Sequence, residues 1–128
     1  MQVTRPRVLL VEPNYQLRAA ILSVLGAEHY AVETRASLEQ IMCHADDGQP
    51  TIALVAWQSM NGLLAEEQRH MLKELAQRVR LVVMVPRSWA RLLESTDLAS
   101  VVAGLVAKPV EADELLAKLE RALAMPVE

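Results

Sequence analysis

Two charged residues beside prolines are the clearest candidates for chemistry: Glu12 in Val11-Glu12-Pro13-Asn14, and Lys108 in Ala107-Lys108-Pro109. A carboxylate can act as nucleophile, base or oxygen ligand to a hard cation, and a lysine can pair with an anion. Neither has a visible helper. No Asp or Glu lies between Asp47 and Glu66, and the hydroxyl of Ser59 has no nearby base to activate it. The three histidines, His29, His44 and His70, fall on different expected elements, with no second ligand at metal spacing. Cys43 adjoins His44, but adjacent helix residues point apart, so no zinc site is expected. Cys43 reads as a small buried or half-buried apolar group. The four glycines are isolated at turns, so no glycine-rich phosphate cradle exists for a nucleotide or flavin. No cofactor or metal is expected. Without a nucleophile–base pair, neither is an enzymatic reaction.

These residues must be positioned by alternating strands and helices. Val8 to Val11 is a short apolar run stopped by Glu12-Pro13-Asn14. Leu17, Ala20, Ile21, Val24 and Leu25 then mark one face of a first helix, which Gly26 is placed to end. Tyr30, Val32 and Thr34 alternate with polar or small residues in a half-exposed second strand. Ser37 and Gln40 can cap a short second helix carrying Leu38, Ile41 and Met42, and Asp46-Asp47-Gly48 is turn chemistry. Ile52 to Trp57 is an unbroken apolar third strand, with Asn61-Gly62 in the following loop. A third helix is expected over roughly Leu64 to Arg78, with Leu64, Met71, Leu72, Leu75 and Ala76 inward. Leu81 to Val85 forms a fourth strand stopped by Pro86, Trp89 to Val102 a fourth helical segment, and Gly104 to Ala107 a fifth strand. The last helix opens on Glu111, Asp113 and Glu114, where its dipole favours negative charge. Leu115, Leu116, Leu119, Ala122 and Leu123 form its buried stripe, and Glu114 can pair with Lys118.

Strict alternation with doubly apolar central strands implies a five-stranded parallel sheet covered by helices on both sides, in three layers. The 128 residues fit one domain, with an ordered core over about residues 7–124. At 52% apolar, the chain can bury a core without a disulfide or structural metal. Thirteen basic and sixteen acidic residues, net −3, are interspersed, so this segment is not expected to bind nucleic acid. No apolar run approaches the ~20 residues of a membrane helix. Met1 to Arg7 has no signal-peptide core, and a single cysteine suits a reducing compartment, so a cytoplasmic location is expected.

In such sheets, functional groups collect beyond the carboxyl ends of the strands. There the chain resembles the receiver domain of bacterial response regulators (CheY-like), over about Arg7 to Ala124. The resemblance rests on Lys108-Pro109 followed by an acidic, leucine-rich helix, on Val8 to Val11 followed by Glu12 and Asn14, and on Met60 and Gly62 beyond the third strand. The resemblance implies a doubly wound sheet in the strand order 2-1-3-4-5. Receivers typically carry two acidic residues after the first strand, a phosphate-accepting aspartate ending the third, a hydroxyl ending the fourth, and Lys-Pro after the fifth. They are modules of two-component signalling and phosphorelays, often joined to a transcription-regulating output domain.

This sequence departs from that pattern at three of those positions. The acceptor position is Trp57, whose indole is neither nucleophile nor metal ligand; the second acidic position is Pro13; the hydroxyl position is Val85. Only Glu12 and Lys108 remain, a poor magnesium site. The resemblance therefore implies an atypical receiver that works without phosphorylation, through a protein partner or an attached output domain. Glu12 and Lys108 read either as a partly solvated ion pair worth ~1 kcal/mol or less, or as a site where Lys108 binds an anion or locks one state. Trp57 fills the vacated pocket, fixing one conformation. Trp89 and Leu105 mark a candidate interaction surface, the face of the fourth helix, fifth strand and fifth helix through which receivers dimerise. Leu105 aligns with the receivers' aromatic switch and supplies no ring to swing. The alternative reading is a small-molecule or anion sensor using the old phosphate pocket, with Lys108 and Gln58 to Asn61 as contacts.

Overall fold

A computed structural model describes residues 6–35, 51–56, 65–87 and 102–124. Within these, the chain order is β1 (Arg7–Val11), α1 (Tyr15–Ala27), β2 (Ala31–Thr34), β3 (Thr51–Ala56), α2 (Ala65–Ala76), β4 (Arg80–Pro86), β5 (Gly104–Lys108) and α3 (Ala112–Ala124). The strands form one parallel sheet in the order β2-β1-β3-β4-β5, the order that the resemblance implies. The expected second helix, the turn at Asp46 to Gly48 and the segment from Trp89 to Val101 lie outside the described residues.

Side chains alternate across a strand, so a strand covered on both faces contributes to two cores. Leu9, Val11, Ala53, Val55, Leu81, Val83 and Val85 point to one face, where Leu72 and Leu75 of α2 meet them. Val8, Leu10, Ile52, Leu54, Ala56, Val82, Met84 and Val106 point to the other, against Ile21 and Leu25 of α1 and Leu115, Leu119 and Ala122 of α3. Every residue of β1 and β3 is buried, which explains the unbroken apolar runs that follow Arg7 in β1 and Thr51 in β3. β2 lies at the sheet edge, and its residues are half-buried or exposed, as its alternating pattern predicts.

Three local expectations change. Gly26 does not end α1; the helix continues to Ala27, and the left-handed residue is His29, with φ 68°. The His29 N–H donates to the Gly26 carbonyl at 3.2 Å and the Tyr30 N–H to that of Leu25 at 3.0 Å. That hydrogen-bond pair closes a helix around a residue in the left-handed region, two positions beyond the last helical one. Pro86 does not stop β4. It is the last strand residue, and Lys108, its partner, extends β5 by one residue beyond Ala107.

Candidate functional site

The carboxyl ends of β1, β3, β4 and β5 lie side by side. Val11 pairs with Val55, Ala56 with Met84, and Pro86 with Lys108. β1 and β5 are separated by β3 and β4, three interstrand spacings or about 14 Å in a flat sheet. Glu12, the residue after β1, and Lys108, the last of β5, nevertheless meet. The Lys108 ammonium donates to both Glu12 carboxylate oxygens, Oε1 at 3.2 Å and Oε2 at 3.1 Å. Two long side chains thus span the ends of the intervening strands, a reach a shorter acid–base pair could not make.

This contact is more enclosed than a partly solvated ion pair. The Glu12 side chain is 0% exposed and that of Lys108 is 16% exposed. A charge withdrawn from water must be compensated inside the protein, so the two groups depend on each other far more than a surface pair would. The Lys108–Pro109 peptide bond is cis.

Arg18 joins the site, and the sequence reading did not include it. Its Nη1 donates to the backbone carbonyl of Glu12 at 3.2 Å, and its guanidinium lies 5.6 Å from the ring centroid of Tyr15. α1 sets this geometry. The Asn14 Oδ1 accepts from the Leu17 N–H at 3.0 Å, capping the helix as soon as the chain leaves β1. Arg18 then stands one turn inside, leaning back over the loop. The available signal was Asn14 as a cap with a basic residue four positions later.

The remaining candidates are placed differently. Pro13 is exposed in the loop after β1, and it adds no oxygen beside Glu12. Val85 is fully buried in the α2-side core. Leu105, in β5, is half-buried and packs against that same core. Trp57, Ser59 and the loop from Gln58 to Asn61 lie outside the described residues, as do Trp89, Cys43 and His44. His70 is exposed on α2, 3.4 Å from Glu74, one helical turn away. No cluster of three or more acidic, histidine or cysteine side chains suits a metal among the described residues. Among the described residues, what stands at Glu12 does not fit the magnesium that the resemblance to receivers implies. Both oxygens of its carboxylate already accept from Lys108, and Pro13 offers no second ligand.

No protein-family model matches the chain, and no curated protein matches its sequence. Solved structures do match its backbone. An adenylate cyclase from Rhodopirellula baltica superposes with a TM-score of 0.74 at 14% identity, over 94% of this chain and 89% of that one. The chemotaxis response regulator CheY4 of Vibrio cholerae gives 0.69 at 19% identity, over 93% and 99%. The response regulator StyR gives 0.71 at 18% identity, over 94% of this chain but 60% of its own. The fold is the CheY-like receiver fold. At these identities the likeness extends to architecture alone. No helix among the described residues is long and apolar enough to cross a membrane.

Proposed function

We propose that this chain is a phosphorylation-independent, receiver-like regulatory module that acts by contact with a protein partner or an attached output domain. One observation carries the reading: the carboxylate that would serve a magnesium ion is instead enclosed by Lys108, with both oxygens engaged. The sequence around it supports the same conclusion. β3 runs directly into Trp57 where an acceptor carboxylate would be needed, β4 presents Val85 where a hydroxyl would sense the product, and Pro13 replaces the second acid. What remains is the scaffold, with one clasp across its functional edge. Such a scaffold is suited to holding a surface in one arrangement rather than to switching it.

The adenylate cyclase likeness suggests no reaction for this chain. No nucleophile–base pair stands at the described strand ends, and a shared fold does not transfer chemistry. Dimerisation through the face of β5, the last helix and the segment containing Trp89 is part of the proposal.

Calorimetric titration with magnesium tests the site directly. The unaltered protein is expected to show no saturable binding at millimolar concentration. Saturable binding that Glu12→Gln removes would refute the reading.

A further inference from the structure

α1 differs from the other two described helices in its charge. Its thirteen residues include one charged side chain, Arg18, whereas α2 and α3 hold five each. Arg18 is half-buried and engaged with the Glu12 carbonyl. The large hydrophobic side chains exposed among the described residues are Tyr15, at 73%, and Leu22, at 36%. They stand two helical turns apart, on one stripe with the exposed Ala19 and Gly26. Nothing inside the chain asks for glycine at Gly26. A Cβ built there meets no atom within 4 Å, and glycine is disfavoured within a helix.

The stripe is its own complement. Its steps of four, three and four residues are the same from either end, and large and small side chains alternate along it. A second α1 laid antiparallel about a two-fold axis therefore sets Tyr15 against Gly26 and Leu22 against Ala19, on both sides of the axis. Charge favours the same direction. α1 has no acid in its first turn and no base in its last, and the exposed Glu28 stands where the helix dipole is already negative. Antiparallel packing brings that end beside the positive end of the other copy's helix.

We propose that this stripe of α1 is a self-association surface, and that its occupant is α1 of a second copy of the chain. The stripe is about 17 Å long and about 10 Å wide, far smaller than the ~800 Å² per partner of a stable complex. The contact is therefore weak and closes only at high concentration. It is separate from the face containing Trp89 and does not depend on it.

Light scattering between about 0.02 and 1 mM tests the proposal, in the unaltered protein and in Trp89→Ala. The average mass should rise about 1.5-fold across that range, the rise that a Kd near 0.5 mM gives. Ala19→Glu sets like charges close to the axis and should abolish the rise. Ala19→Glu/Leu22→Lys should restore it at low ionic strength, because the two-fold sets each new carboxylate against the other copy's new ammonium, and salt should remove it again. Both changes put good helix formers at exposed positions, so circular dichroism should be unaltered.

A mass that stays constant up to about 1 mM would leave the stripe to some other protein and overturns the proposal. So does a rise that Ala19→Glu leaves intact, or one that the double variant does not regain. The Trp89 face is judged separately, from the mass at the dilute end. If Trp89→Ala does not fold, the unaltered protein and its α1 variants carry the test alone.

Discussion

Glu12 and Lys108 come from opposite ends of the chain, and their contact closes across two intervening strands. Removing one partner therefore differs from removing both. Lys108→Met leaves an enclosed carboxylate with its principal cation gone, and should cost about 3–5 kcal/mol. Glu12→Gln/Lys108→Met leaves no charge stranded and should cost clearly less than the sum of the single changes. Urea denaturation of the four proteins in the cycle measures both, and additive losses would contradict the coupling. Tyr30 supplies a pH dependence at the same scale. Burial, with the carboxylates of Glu120 and Glu28 nearby, pushes its hydroxyl above the usual value. Below about pH 10 the phenol is protonated in both states, and its contribution to stability is complete. As pH rises further the unfolded chain ionises first, so stability falls until the raised folded value is passed. Urea midpoints should drop more steeply above about pH 10 in the unaltered protein than in Tyr30→Phe. Equal slopes would remove Tyr30 from the account. The sequence makes both Glu12 and Lys108 legible as charged residues just beyond strand ends. It does not reveal their enclosure, because that depends on how far two side chains reach over the ends of β3 and β4.

At the scale of elements, apolar pattern located the five strands and the three described helices well, and local punctuation located their ends less well. β1 and β3 were legible because strands buried on both faces must be continuously apolar. The end of α1 was misplaced because glycine is only the commonest residue to leave a helix in the left-handed region. Here His29 does so, three residues beyond Gly26. A non-glycine residue in that region carries a steric cost. His29→Gly should therefore stabilise the protein by about 0.5–1 kcal/mol, read as a higher urea midpoint with unchanged slope. A lower midpoint would mean that the histidine side chain makes a compensating contact. Pro86 misled in a related way. Proline lacks an N–H, yet at the last position of β4 it still pairs in register with Lys108, and that extra residue places the ammonium within reach of Glu12.

At the scale of the whole molecule, the proposed reading, a receiver-like fold that works without phosphorylation, implies a fixed surface rather than a switched one. Oligomeric state is the first property to follow. Light scattering of the unaltered protein should give a dimer, and Trp89→Ala should shift it toward monomer, since a tryptophan at the centre of an interface commonly dominates its energy. A monomer at high concentration would contradict the proposed face. A parallel sheet with two covered faces was legible from alternation, by pattern and connection rules, and its strand order from the resemblance carried by residues such as Lys108 and Pro109. Arg18 was not, because its role depends on where a capped helix leans.

The most direct measurement is the intact mass of the protein after incubation with a small phosphodonor and magnesium. A variant carrying Pro13→Asp, Trp57→Asp and Val85→Thr together, which restores the missing groups, would run beside it. The unaltered protein is expected to keep its mass under conditions in which a known active receiver is modified. Stoichiometric gain of one phosphoryl group by the unaltered protein would contradict it.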